Sequence, residues 1–307
     1  MSLKLSIVFT IFSIQWILAQ PVERESPAGQ DFTLYTGADL VVLNVGVQDG
    51  HGRNVRGLTP ADFKVYEDGR LQPVKQFSDE DRPVTIGIVV DASGSMLPKQ
   101  AEVITAALAF SGASNPQDEI FVVEFNDNAR LELPPDTPFT RDLLRLRTAL
   151  MGRNPAGKTA LYDAVDLALQ HLRKGKWEKK ALLVVSDGGD NNSKHSWQDI
   201  LEQVQASGAT LYTIGVFDDE DPDRNAGNLR RLAEMSGGES FFPKTLPDIE
   251  PICRRIAADI RASYTLAFTP QNSDESEKPR KLKISASHAS GGRLVVHSRS
   301  SYVLTAR

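Results

Sequence analysis

Five oxygen-bearing residues at three separated points of the sequence have the types and spacing to hold a hard cation. Asp91, Ser93 and Ser95 alternate in the stretch DASGS, and alternate residues of an extended turn project to one side. Asp187 ends the apolar run of ALLVVSDGGD, and Thr159 stands between them in GKTALYDA. Two carboxylates and three hydroxyls, with no histidine or cysteine, suit Mg²⁺ first, and Mn²⁺ or Ca²⁺ next, rather than zinc. Thr159 also belongs to a competing pattern. Gly152, Gly157, Lys158 and Thr159 spell G-x-x-x-x-G-K-[ST], the phosphate-cradling loop of nucleotide-binding enzymes.

The surrounding elements decide between the two. A phosphate loop connects a strand to a helix, so that the strand aims the loop and the helix N-terminus adds its dipole. Here the preceding residues are TRDLLRLRTALM, with Leu143, Leu146 and Leu150 three or four apart. That periodicity predicts a helix where a strand is required, and the nucleotide reading of Gly152–Thr159 becomes the alternative. The cation reading needs loops at strand ends. PVTIGIVVDAS is a continuous apolar run of the kind buried on both faces of a parallel sheet. From residue 83 such runs alternate with helical patterns: LPKQAEVITAALAFSGAS with Val103, Ala106, Ala107 and Phe110 on one face, then DEIFVVEFND, TALYDAVDLALQHLRKG, KKALLVVSDG, SWQDILEQVQASG, TLYTIGVF, NLRRLAEMSG and ESFFPK. The expected fold is α/β, a doubly wound and mostly parallel sheet whose binding crevice lies at the carboxyl ends of its strands. Residues 33–82 and 263–307 read instead as short strands with turn signals such as Asp49-Gly50 and Asp68-Gly69. Neither flank can bury its faces alone, so the two are expected to pair into a small β-sandwich with the α/β domain, residues 83–262, inserted between them.

The constellation resembles a known family. D-x-S-x-S followed by a distant Thr and a distant Asp is similar to the metal-ion-dependent adhesion site of von Willebrand factor type A domains, with Asp91, Ser93, Ser95, Thr159 and Asp187 at its five positions. TIGIVVDASGSM, GKTALYDAV and ALLVVSDGGDN look like that family's blocks, over roughly residues 84–262. The flank DFKVYEDGRLQPVKQFS and the Tyr-initiated tail resemble the exported von Willebrand factor A-related proteins of Acidobacteria. The resemblance implies that Ser93 and Ser95 ligate the metal directly. It implies that Thr159 does so directly or through water, and that Asp91 and Asp187 act mainly through waters and hydrogen bonds. It also implies a partner protein that presents a carboxylate to the ion.

Neighbouring residues have plainer readings. Lys158 is expected to be solvated, Asp163 and Asp166 to form the polar face of a helix, and Asp190, Asn191 and Asn192 to form a turn. Asn126 and Asp127 could line the same crevice. The acidic run at 218–223 lacks the spacing of a calcium loop, and His195 is explained by a loop position. The window around Ser93 is no nucleophile elbow, and none of the five histidines falls in a zinc-protease pattern, so a binding module is expected and not an enzyme.

Composition narrows the setting. A formal charge of -5 excludes a general nucleic-acid binder, whose footprint is basic. Residues 1–19, with Lys4, an apolar run from Leu5 to Leu18 and Ala19, read as a secretory signal peptide, followed by a linker at 20–32. Export to periplasm, cell surface or medium is expected, with membrane association only if the signal segment stays uncleaved. A third reading is a structural envelope protein that binds without metal. The single cysteine, Cys253, sits in a segment where Ile249, Ile252, Ile256 and Ile260 recur at helical spacing, and reads as a core residue.

Overall fold

The stretch TIGIVVD, Thr85–Asp91, is buried at every position, which requires cover on both faces. It is the strand around which the other elements are arranged. The protein is described from a computed structural model covering residues 40–152, 155–217, 224–270, 278–288 and 291–303. The signal peptide assigned to 1–19, the linker at 20–32 and the acidic run at 218–223 lie outside the described residues.

Four short strands come first: β1 (Val41–Asp49), β2 (Phe63–Glu67), β3 (Arg70–Gln72) and β4 (Gln76–Ser78). The α/β region follows as β5 (Thr85–Asp91), α1 (Gln100–Ala113), β6 (Glu119–Phe125), β7 (Ala129–Leu131), α2 (Leu143–Leu150), α3 (Leu161–Leu172), β8 (Lys180–Ser186), α4 (Trp197–Ser207), β9 (Thr210–Gly215), α5 (Ala226–Ser236), β10 (Ser240–Phe241) and α6 (Ile249–Ala262). The chain ends in β11 (Tyr264–Phe268), β12 (Arg280–Ala286), β13 (Leu294–His297) and β14 (Ser301–Tyr302).

The central sheet has the order β10-β9-β8-β5-β6-β7, parallel throughout except for β7, which runs antiparallel to β6. From β5 the chain steps one way to β6 and then the other way through β8, β9 and β10. Right-handed crossovers therefore send α1 to one face and α3, α4 and α5 to the other. The packing agrees: α1 lies against α6 and α2, while α4 lies against both α3 and α5. On α1 the buried residues are Val103, Ala106, Ala107 and Phe110, the face that its periodicity predicts. Cys253 is fully buried on α6, where its surroundings push the thiol up to about 12, so it is an inert core side chain.

The flanks form two antiparallel sheets, β13-β1-β11-β4 and β14-β12-β2-β3, each mixing strands from both ends of the chain. Their inner faces share one apolar cluster that includes Leu43, Val45, Phe63, Val65, Tyr264, Leu266 and Phe268. Asp68 and Gly69 form the tight turn between β2 and β3, both at positive φ as a two-residue hairpin of this hand demands. Asp49-Gly50 also reverses the chain, but the return segment pairs only through an isolated Gln48–Asn54 bridge, and the full partners of β1 are β11 and β13. Polar contacts dock the sandwich beneath the α/β domain. Asn54 Nδ2 donates to Asp259 Oδ1 at 2.6 Å, and Arg261 pairs with Asp81 at 2.7 Å.

Three local departures from the sequence pattern have simple causes. Thr159 does not open a helix: α3 begins at Leu161 behind Ala160, which leaves Thr159 in the preceding loop. Gly94–Lys99 forms a 3-10 turn before α1, since Pro98 cannot donate within a regular helix. Leu143, grouped with Leu146 and Leu150 by spacing, is 45 % exposed, and the buried face of α2 is Leu146, Ala149 and Leu150.

Candidate functional site

Strand order places the two aspartates side by side. β5 and β8 are neighbours with Val90 opposite Val185, so Asp91 at the end of β5 lies beside Ser186 at the end of β8, one residue before Asp187. Since β5 leads to α1 and β8 to α4 on opposite faces, the loops after them part at this point. Such a switch point is where doubly wound sheets open a crevice.

Side-chain contacts gather four of the five sequence-assigned residues. Asp91 Oδ1 accepts from the Ser93 N–H at 2.9 Å, which folds the loop back over the strand end. The Ser93 and Ser95 hydroxyls lie 3.2 Å apart, and the Ser95 hydroxyl donates to Asp187 Oδ2 at 2.8 Å. Asp187 Oδ1 accepts from the Gly189 N–H at 3.1 Å. Thr159 is brought in by the backbone. Ala156 N–H donates to the Ala92 carbonyl at 2.9 Å and Gly94 N–H to the Gly157 carbonyl at 3.2 Å, which lace its loop to DASGS. The Thr159 carbonyl accepts from Asn191 and Asn192, and its N–H donates to Asn191 Oδ1 at 2.9 Å. Asp91, Ser93, Thr159 and Asp187 are all buried, while Ser95 is half-exposed at the rim.

Other residues complete the site beyond those that the sequence pattern singles out. Ser186 donates to Asp91 Oδ2 at 2.6 Å and accepts from Gly188 N–H, fixing the orientation of the carboxylate. Asp127 accepts from the Lys158 N–H at 2.9 Å, and its carbonyl accepts from Asn192 Nδ2. Gly157 is favoured there by its φ of 86°, and a Cβ would displace the Asp127 carboxylate from its place 2.5 Å away. Asn191 is thus a positioning residue for Thr159 and more than a turn former. A run such as GGDNN signals only a turn, because the partner of its side chains is set by the tertiary fold.

The electrostatics favour a cation. Burial, together with the charge of nearby Asp187, pushes Asp91 up to about 6 against the opposing hydrogen bonds from Ser186 and Ser93. Two clustered carboxylates with hydroxyls form an all-oxygen donor set suited to a hard divalent ion. Among the described residues no group of three or more His, Cys, Asp or Glu side chains is placed to hold a metal. The phosphate-loop pattern fares worse. A helix, α2, and not a strand leads into Gly152, and the Lys158 N–H is committed to Asp127.

Asp163 and Asp166, read as a polar helix face, do more than meet solvent. Asp163 accepts from the Lys194 and His195 N–H groups and lies 2.7 Å from His195 Nδ1, while Asp166 lies 3.8 Å from Nε2. Together with the Ser193–Asp190 pair and the Tyr162 N–H to Asp190 bond, they clamp residues 190–196 onto the start of α3. The Asp163 hydrogen bond raises the pKa of His195, and the Asp166 and Asp199 charges add to it against partial burial. A raised folded value means that the clamp is complete below about pH 6.5 and loosens as pH climbs through the folded value. Amide exchange of residues 190–196 is therefore expected to accelerate from pH 6 to 8 beyond its intrinsic rise, and His195→Gln should remove that excess. An unchanged pH profile in the variant would show that His195 does not hold the loop.

Residues 86–189 match the family model of the von Willebrand factor type A domain. Among solved structures, the chain is similar to a von Willebrand factor type A protein from Catenulispora acidiphila, at 14% identity and a TM-score of 0.52, over 89% of this chain and 76% of that one. It is also similar to proximal thread matrix protein 1 of the mussel byssus, at 15% identity and a TM-score of 0.52, over 64% of this chain and 51% of that one. At these identities the two structures speak to the fold alone. Residues 86–189 and the sheet order around them are thus similar to those of a von Willebrand factor type A domain.

Proposed function

We propose that the protein is an exported, divalent-cation-dependent binding module that captures an acidic group of a partner protein, and that it is not an enzyme. The observation that carries this reading is the meeting of Asp91, Ser93, Ser95 and Asp187, with Thr159 laced beside them, at the switch point of the sheet. The Ser93, Ser95 and Thr159 hydroxyls would hold Mg²⁺, with Asp91 and Asp187 supporting it through hydrogen bonds and water. Mn²⁺ and Ca²⁺ suit the same oxygens. Hydroxyl ligands are neutral and leave most of the positive charge for an incoming carboxylate, which replaces a water of the ion. Ser95, at the rim, is where a partner meets the site first. The signal-like residues 1–19 support delivery to the periplasm, cell surface or medium.

The test is capture of partners from the exported fraction by the tagged, crosslinkable protein, run with Mg²⁺ and again with EDTA, alongside calorimetric titration of Mg²⁺. Binding of the ion and EDTA-sensitive capture are expected. Capture that survives EDTA would overturn the metal reading in favour of a structural assembly role.

A further inference from the structure

Residues 133–139, between β7 and α2, cross the outer edge of β6 as a strap with few means of pairing to it. Pro134, Pro135 and Pro138 carry no N–H, and the Thr137 N–H is spent inside the strap, on the Pro134 carbonyl at 2.9 Å. The strap is held at its ends by the backbone. Glu132 N–H donates to the Val122 carbonyl at 3.0 Å, and Thr140 and Ile120 exchange two bonds of 2.8 Å. Between those points, among the described residues, one hydrogen bond ties residues 133–139 to the rest of the chain. It joins His171 Nε2, on α3, to the Pro138 carbonyl at 3.0 Å.

A carbonyl can only accept, so Nε2 carries the proton of a neutral ring and Nδ1 is a bare acceptor. Nδ1 is buried without a hydrogen-bond partner. The residue is 5 % exposed, and its ring centroid lies 4.5 Å from that of Phe121 on β6 and 4.8 Å from that of Phe139 on the strap. His171 therefore grips the strap twice, through Pro138 and through Phe139. A second proton would enter at Nδ1, where no acceptor waits, and would charge a ring enclosed by two phenyl groups. The surrounding charges do not compensate. Lys174, on the same helix, repels a positive ring. No ion pair joins His171 to a carboxylate of β6, β7 or the strap among the described residues. Glu119 of β6 is engaged with Thr85 and Lys176, and Asp136 of the strap is exposed. Burial, with Lys174 adding to it, holds His171 below the ordinary histidine value against the Pro138 bond.

We infer that His171 is an acid-released latch: the neutral ring holds strap 133–139 across β6, and its protonation frees the strap and bares the β6 edge around Phe121. A depressed folded value means that the latch is complete above about pH 6.5 and is lost as pH falls through the folded value. The edge so bared belongs to the central sheet, and an unpaired strand edge is a template for another strand. The device is independent of the cation site.

The experiment is amide exchange of the full chain by mass spectrometry at pH 7.5 and 5.0, corrected for intrinsic rates. Protection in peptides spanning Ile120 and Thr137–Thr140 should fall severalfold at pH 5.0, up to a limit of about thirtyfold set by full protonation of an opened His171. Peptides of β5 and β8 should keep theirs. His171→Phe keeps an aromatic ring against Phe121 and Phe139 but cannot titrate, and its strap should exchange alike at both pH values. Proton NMR of the wild-type ring should titrate at the pH where the strap opens, a readout that stands even where the variant fails to fold. Strap protection that is flat in wild type, an equal acid loss in His171→Phe, or an equal loss in β5 and β8 would each overturn the latch, the last in favour of acid unfolding of the whole domain.

Discussion

Asp91→Asn should abolish binding of Mg²⁺ and Mn²⁺ while leaving the metal-free protein at least as stable as the wild type at neutral pH. The carboxylate is buried beside Asp187 and pushed up to about 6 from an ordinary value near 3.8. Keeping it ionised at pH 7 therefore costs on the order of 2–3 kcal/mol, which a bound cation offsets and an asparagine never incurs. The amide also keeps the local geometry. Its oxygen still accepts from the Ser93 N–H, and its NH₂ can donate to Ser186 Oγ, reversing one hydrogen bond. The sign follows from the raised value. The stability that wild type has below about pH 4 is lost as pH climbs through about 6 in EDTA, and the variant should lack that decline. With Mg²⁺ added, wild type should melt higher by ligand linkage and the variant should not move. Calorimetry and melting curves over pH 4–8 read both effects. Wild-type Mg²⁺ affinity in the variant would remove Asp91 from the site, and a lower melting point in EDTA at pH 7 would show its charge to be compensated within the protein.

Gly238→Ala should be among the most damaging single changes in the chain. Gly238 is buried in the turn between α5 and β10, where a Cβ would overlap the carbonyl of Leu211 on β9. That neighbour is backbone in the central sheet and cannot swing aside. Its predecessor Gly237, at φ 83°, ends α5 against the backbone of Ser298 and Arg299 of the sandwich, so a shift of this turn disturbs the seam between the two layers as well. A cost above about 4 kcal/mol is expected, a fall of roughly 10 °C in melting temperature or loss of soluble protein. Gly112→Ala is the matched control. It is exposed in the last turn of α1 with open space around it, and should stabilise by up to about 1 kcal/mol. Equal melting of the Gly238 variant and wild type would refute the packing argument.

Much of the α/β domain was legible because its burial is extreme. A strand covered on both faces must be apolar throughout, as Thr85–Asp91 is, and α1 carries its buried stripe at a clear helical period. The candidate site was legible for a related reason. Polar residues that interrupt such strands at their ends stand out, and Asp91 and Asp187 do. The lacing was not, since nothing local tells Asn191 that its amide faces Thr159, or Asp163 that its carboxylate receives the backbone of Lys194 and His195. β7 escaped notice as a three-residue antiparallel edge with no apolar run of its own. The sandwich was foreseen as a pairing of the flanks, but not which strand joins which sheet. Alternation fixes the face of a strand and leaves its neighbours open.

The two chain connections to the α/β domain give it a mechanical character. The domain is entered through residues 79–84, after β4, and left through Ser263, between α6 and β11. β4 and β11 are hydrogen-bonded neighbours, with Ser78 opposite Thr265. Both tethers thus leave from adjacent strands at the foot of the sheet, opposite the rim that carries Ser95. A force applied at that rim would run along the axes of β5 and β8, where it must shear whole ladders of parallel hydrogen bonds at once, rather than peel them apart one at a time. Any tension would then be divided between two anchors in one sheet, a layout that spreads load from that rim over the sandwich.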